Sequence, residues 1–340
     1  MTRSARDARH LAGVFFSLLL VALLGSGCAT APQSKQLARD APPDLPERVE
    51  LTHVPFFPQE DYQCGPAALA TLLVDLGVDT HPDALVSEVY IPERQGSLRT
   101  EMLAAARARG LVAYPLNPRL EDVLREVAAG HPVLVFQNLG VNFAPYWHYA
   151  VVIGYDLPAR EIVLRSGTIE RHVNSFSRFE RTWRRGDRWA FITLPPEQVP
   201  ATGEALPWLR AANNLEQIGR TEAAAAAYET ATRQWPEQPI SWIALGNLRY
   251  AQGELAASEA AFRALIEHQP EAHAGWNNLA HVLKAQGCGE QARQAARCAV
   301  ALAPDNAQYR QTLVTMDDAE VTQTCAPLIC PFDSQTAPFR

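Results

Sequence analysis

"DYQCGPAALATLL", residues Asp61 to Leu73, sets one cysteine between a polar approach and an apolar run with helical spacing. Leu69, Leu72, Leu73 and Leu76 recur at i, i+3, i+4 and i+7, the buried stripe of an amphipathic helix. Pro66 suits the first turn, where its missing N–H is no loss and its fixed φ is already helical. Cys64 therefore falls at or just before the helix N-terminus. Unpaired N–H groups and the positive end of the helix dipole favour a thiolate there, the reactive form of cysteine. Taken alone, the stretch also fits a small hydrophobe packed under the helix start.

Working outward, "RTEMLAAARARG" (99–110) and "LEDVLREVAAG" (120–130) read as helices ended by Gly110 and Gly130. The grammar then changes. "HPVLVFQN", "HYAVVIGYD", "EIVLRSG", "TIERHV" and "RWAFITLP" are short, rich in β-branched and aromatic residues, and separated by Pro, Gly, Asp and Asn. Helices followed by hairpin-connected strands predict an α+β domain over 51–197, its first helix packed on an antiparallel sheet.

The C-terminal third is periodic. Trp208, Trp242 and Trp276 are 34 residues apart, and Gly219, Gly253 and Gly287 keep that period, as do Pro236, Pro270 and Pro304. Tyr228 and Phe262 mark a further position, which Ala296 fills in the third copy. Each unit reads as helix, glycine turn, helix and a stopping proline. The unit resembles the tetratricopeptide repeat, and the all-α solenoid this implies is placed at 198–316, with about three copies over 207–306. Such repeats bury their aromatic positions against one another and leave a concave groove for a protein partner.

The N-terminus reads as an export signal. Arg3, Arg6 and Arg9 precede an apolar run from Leu11 to Leu24, and Gly25, Ser26 and Gly27 lead into Cys28. A run of about 14 apolar residues is short for a bilayer span. The layout resembles a bacterial lipoprotein signal over 1–27, with Cys28 lipidated as the mature N-terminus. Gly25 stands where such signals usually carry Leu, and Leu24 lies one position further back. Ala29 and Thr30 follow in place of an Asp, which in Gram-negative lipoproteins implies the outer membrane, facing the periplasm. Residues 28–50, rich in Pro, Ala and charge, read as a tether with no core of its own. The chain carries a net charge of −7, and losing residues 1–27 makes it more acidic, which disfavours nucleic acid and anionic lipid as partners.

A cysteine at a helix start becomes a nucleophile if a base can reach it. Of the nine histidines, His148 is best placed, because it opens the strand "HYAVVIGYD" at a sheet end. "VPFFPQEDYQCGPAALATLL", "GSLRTEMLAAARARGL", "HPVLVFQN" and "WHYAVVIGYD", in that order, resemble the bacteriocin-processing, double-glycine peptidase family of papain-like cysteine peptidases. The resemblance implies Cys64 as nucleophile and His148 as base. It also implies an upstream glutamine that donates to the oxyanion, assigned to Gln59, with Gln63 turned away, and the nucleophile's own N–H as second donor.

One position departs from that family, which carries an Asp on the next strand to orient the imidazole. If Asp156 faces Glu161 across the turn "LPAR", then His148 faces the region from Arg165 to Ile169, "RSGTI", which has no carboxylate. Asp156 itself lies about 26 Å along the strand from His148. Ser166 is the expected occupant, since a hydroxyl can accept from the imidazole, and Arg165 is expected to turn outwards.

Cys288, Cys298, Cys325 and Cys330 fit no zinc spacing, and an exported chain sits where disulfides persist. At about 1.5 Å rise per residue, Cys288 and Cys298 are too far apart to bond each other. The expectation is that the tail, 317–340, folds back and pairs one cysteine with each. This would cap a repeat stack that shows no obvious closing helix, and the rival is a local Cys325–Cys330 loop. The reading is thus a membrane-tethered peptidase, with no cofactor or metal, that acts on a peptide or protein substrate. The alternatives are an acyl transferase or a weak, peptide-gripping relative on the same fold, or a structural cap in front of working repeats.

Overall fold

The computed structural model describes residues 31–59, 63–322 and 325–332; Cys28 and the signal at 1–27 lie outside them. The described residues form two compact units, one holding the chain up to 102 together with 115–192, the other 103–114 together with 193 onward. Among the described residues no helix is long and apolar enough to cross a membrane.

In the first unit, α1 (Pro32–Leu37) and β1 (Arg48–Glu50) precede α2 (Cys64–Asp75) and α3 (Pro82–Val89). A small hairpin follows, β2 (Tyr90–Ile91) and β3 (Gly96–Ser97), then α4 (Arg99–Arg107) and β4 (Val112–Pro115), which fall largely in the 103–114 segment of the second unit, and α5 (Leu120–Ala128), back in the first. The strands β5 (Val133–Asn138), β6 (Trp147–Asp156), β7 (Glu161–Ser166) and β8 (Ile169–Ser175) run on by hairpins to α6 (Phe176–Arg185) and β9 (Ala190–Leu194). The sheet has the order β4-β9-β5-β6-β7-β8, with β1 also paired to β6. Strand β6 is the hydrophobic spine: Tyr149 to Tyr155 are buried, as a central strand covered on both faces requires. Helix α2 packs on it, and its Leu69, Leu72 and Leu73 are buried. The hairpin register has Asp156 opposite Glu161, and an irregularity between Val152 and Gly154 shifts the pairing nearer His148.

Two expectations are corrected here. Residues 31–50 are not a coreless tether. Ala31, Ser34, Leu37 and Leu45 are buried, and β1 pairs with β6 in the register Arg48↔Asp156. The carboxylate of Glu180, itself buried, accepts from Ser34 Oγ at 2.7 Å, from Ser34 N at 2.8 Å and from Gln33 N at 3.1 Å. A composition rich in Pro and charge hid the few residues that this clamp needs. Arg165 is the second correction: it is buried, and its Nη2 donates to the Val54 carbonyl at 2.8 Å while Nη1 donates to the Glu170 carbonyl at 2.8 Å. Backbone carbonyls, which repay a buried guanidinium's lost hydration, draw it inward.

Helix α6, which the strand-rich reading passed over, carries an apolar stripe of Phe176, Phe179 and Trp183, all buried. Its N-cap is Ser175, whose hydroxyl accepts from the Arg178 N–H.

The second unit is a run of helix pairs: α7 (Ala205–Gln217) with α8 (Thr221–Gln234), α9 (Pro239–Ala251) with α10 (Leu255–His268), and α11 (His273–Ala285) with α12 (Gly289–Leu302). Gly219, Gly253 and Gly287 turn each pair at φ of 75°, 78° and 80°, a left-handed conformation that only glycine adopts cheaply. Trp208 and Trp276 are buried, and Trp242 is partly so. Trp242 and Trp276 each donate the indole N–H to the proline carbonyl six residues earlier, Pro236 and Pro270. The stack does have a closing helix, α13 (Ala307–Met316), packed on α11 and α12; its weak apolar pattern, with Tyr309, Thr312 and Met316 turned inward, concealed it. Beyond it the tail folds back, and Cys288 bonds Cys325 while Cys298 bonds Cys330, with Cα atoms 5.8 Å and 5.6 Å apart. Cys298, Cys330 and Leu328 are buried with Met316 in the core of this last repeat.

Candidate active site

Cys64 is the first residue of α2 and the free cysteine among the described residues. Gly65 follows because the β2–β3 hairpin comes very close: a β-carbon there would lie 2.1 Å from Ser97 Oγ. The same hairpin is tied to β6 by Tyr149 Oη, which donates to the Ser97 carbonyl at 3.1 Å. Cys64 and His148 line one cleft of about 650 Å³, together with Gln59, Ser97 and Trp147. Gln63, the N-cap residue of α2, is not among its lining residues.

His148 is buried, and its Nε2 lies 2.9 Å from Ser166 Oγ. Gln137 stands opposite it on β5. Gln59 is held by its backbone N–H, which donates to the Gly167 carbonyl at 3.1 Å; its side-chain Oε1 is buried with no partner among the described residues. The four residues Gln59, Cys64, His148 and Ser166 thus come from a loop, a helix start, a strand start and a strand end, brought together by the α2–β6 packing and the β6–β7 hairpin.

The electrostatics differ from the sequence expectation. Burial pushes the Cys64 thiol above its ordinary value, and the N–H groups of Tyr149, Gly65 and Cys64 only partly oppose this. Burial also lowers His148, to about 4, helped by the positive potential of His172. Desolvation penalises both charged forms at once, which favours thiol and neutral imidazole over thiolate and imidazolium. The helix-start dipole favours the thiolate, but here it does not overcome burial. A substrate that brought dipoles into the cleft would change that balance.

The cleft lining is mixed, with Pro145, Tyr146 and Trp147 facing it along with Arg94, Gln95 and Ser97. The β5–β6 loop carries Phe143, 92% exposed, and Tyr146, 61% exposed, and Trp147, 49% exposed, opens β6; Tyr146 and Trp147 line the cleft. Arg99 stacks its guanidinium over Phe136, a lining residue, 4.7 Å from the ring centroid, and bonds Asp187 at 2.9 Å.

Residues 51–189 match the family described as the Peptidase_C39 like family, and 209–267 and 243–307 match the tetratricopeptide repeat. An uncharacterized protein of Methanothermobacter thermautotrophicus is 32% identical over 95 residues, 28% of this chain and 59% of that protein, so the chain spans less than two thirds of this relative. Among solved structures, a C39-like peptidase from Bacillus anthracis aligns at 19% identity over 44% of this chain and 98% of its own, with a TM-score of 0.36. The peptidase domain of Streptococcus ComA aligns at 20% identity over 42% and 99%, with a TM-score of 0.34. The chain joins a C39-like peptidase domain to a C-terminal run of tetratricopeptide repeats.

Proposed function

We propose that the protein is a cysteine peptidase tethered to the membrane through lipidated Cys28, hydrolysing a peptide or protein that its repeat domain helps to dock. The observation that supports this best is the meeting of a helix-start cysteine and a strand-start histidine in one cleft, with the histidine's far nitrogen held by Ser166. In this reading the substrate carbonyl settles against the Cys64 N–H and the Gln59 side chain. The thiol gives its proton to the ring nitrogen of His148 that faces away from Ser166, and the sulfur adds to the carbonyl carbon. The negative charge that develops on the oxygen is met by those donors. His148 then protonates the leaving amine, and water, deprotonated by the same nitrogen, releases the acid and restores the thiol. Tyr146 and Trp147, which line the cleft, would grip substrate side chains beside the scissile bond.

The burial of the pair, which disfavours both charged forms, favours a second reading, a weak or inactive peptidase-like protein that mainly grips its peptide. A peptide-library cleavage assay on the full chain, wild type against Cys64→Ala, separates the two. Cleavage lost in the variant supports hydrolysis. Peptide retention without cleavage in both supports the binding role.

A further inference from the structure

His148 has two sides, and the far one opens into a second cleft of about 510 Å³ that shares Tyr146, His148 and Gly167 with the first. One wall is a single stripe of α6: Arg178, Arg181, Thr182 and Arg185 at i, i+3, i+4 and i+7. Strand β8 contributes His172 and Asn174, and β7 contributes Ser166. Part of this lining is fixed: Gln137 Nε2 donates to Thr182 Oγ1 at 2.6 Å, and Arg185 Nε donates to the Asn138 carbonyl at 3.1 Å.

The charge of the cleft is unbalanced. None of its lining residues is acidic. Helix α6 has one carboxylate, Glu180, which is buried and committed to Ser34 and Gln33. The guanidinium groups of Arg178 and Arg181 have no hydrogen bond or ion pair among the described residues. Arg178 also lies in the first turn of the helix, where the dipole disfavours a cation, and like charges spaced i, i+3 repel. Stability of the helix accounts for arginines in its last turn but not for this one. The positive field reaches the catalytic cleft: beyond burial, Arg178 lowers His172, and His172 lowers His148. Bidentate guanidinium donors that face an open, acid-free cleft match a carboxylate ligand.

We infer that this second cleft is a carboxylate-binding subsite, taking an acidic side chain or the free C-terminus of a peptide that lies across the Cys64 cleft. Its placement beside a scissile bond rests on the peptidase reading; the binding itself does not. A carboxylate seated among Arg178, Arg181 and Arg185 could also accept from the Ser166 hydroxyl, which accepts from His148. The ligand would then supply, at one remove, the negative charge that β7 lacks behind the imidazole.

The test uses the full chain with Cys64→Ala, so that hydrolysis is not needed, and reads the imidazole C–H NMR signals of His148 and His172. The probes are N-acetyl-tetraalanine with a free C-terminus, its C-terminal amide, N-acetyl-Ala-Ala-Glu-Ala-amide, and succinate. Carboxylate peptides should shift both histidines saturably, the amide should not, and Arg178→Gln with Arg181→Gln should weaken binding roughly tenfold or more. The free-terminus and glutamate probes tell the two peptide sources apart. Binding of succinate without either peptide rejects the peptide assignment. Equal shifts from the amide, undiminished binding in the double variant, or no shift from any probe overturns the subsite. Carboxylate binding together with a wild-type chain that cleaves no peptide would leave the subsite standing and overturn only the peptidase reading.

Discussion

The Nε2 of His148 lies 2.9 Å from the Ser166 hydroxyl, so the imidazole is oriented by a neutral group where a carboxylate would add charge as well as direction. Replacing Ser166 with Asp places a negative charge at that distance and favours the imidazolium. The His148 pKa should therefore rise from about 4 toward roughly 5–7. Imidazole NMR titration reads this directly, and peptide hydrolysis should quicken alongside. An unchanged titration would mean that Ser166 does not set the state of His148.

Cys64→Ser and His148→Ala should each abolish hydrolysis while leaving the circular dichroism spectrum intact. Nucleophile and base act as a unit, so the double variant should be about as inactive as either single one. Full turnover by either single variant would refute the assignment.

Iodoacetamide labelling checks the neutral resting pair. A thiol raised by burial should alkylate slowly at pH 6 and faster as pH climbs past the ordinary cysteine range. Rapid labelling at pH 6 would contradict it.

Acid should destabilise the first unit through His148. Its folded pKa, about 4, is depressed below the unfolded 6.5, so the unfolded chain binds more protons between those values. The stability is complete above the unfolded value and is lost as pH falls toward the folded one, on the order of 3 kcal/mol in all. Denaturant titrations at pH 7 and pH 4 should show the loss, and His148→Gln should flatten it. Equal slopes in the two proteins would place the acid sensitivity elsewhere.

Non-reducing peptide mapping should give Cys288 linked to Cys325 and Cys298 to Cys330. Closing loops of 37 and 32 residues, each bond should contribute about 4 kcal/mol by restricting the unfolded chain. Cys298→Ser with Cys330→Ser should thus lower the Tm of the repeats while leaving any peptide cleavage unchanged. Cys28→Ala, in turn, should move the protein from the membrane to the soluble fraction, since several acyl chains hold where one binds marginally.

What the sequence determined by itself was carried by period and order. Leucines at helical spacing after Cys64, short β-branched and aromatic runs in hairpin succession and a 34-residue repeat each report a local regularity, and local regularities survive without coordinates. The pairing of His148 with the Ser166 region was legible for the same reason, because a short hairpin ties register to residue count. The burial that pushes Cys64 up and His148 down is a tertiary property, and it opposes a dipole that a helix start makes visible in sequence. The inward turn of Arg165 depended on carbonyls at Val54 and Glu170, and the docking of 31–50 on the buried Glu180. Helix α6 was within reach of the sequence through Ser175, Phe176, Phe179 and Trp183, but not its position beside His148. That position puts Arg178 and Arg181 beside a strand more than twenty residues earlier, a proximity that only the folded sheet creates.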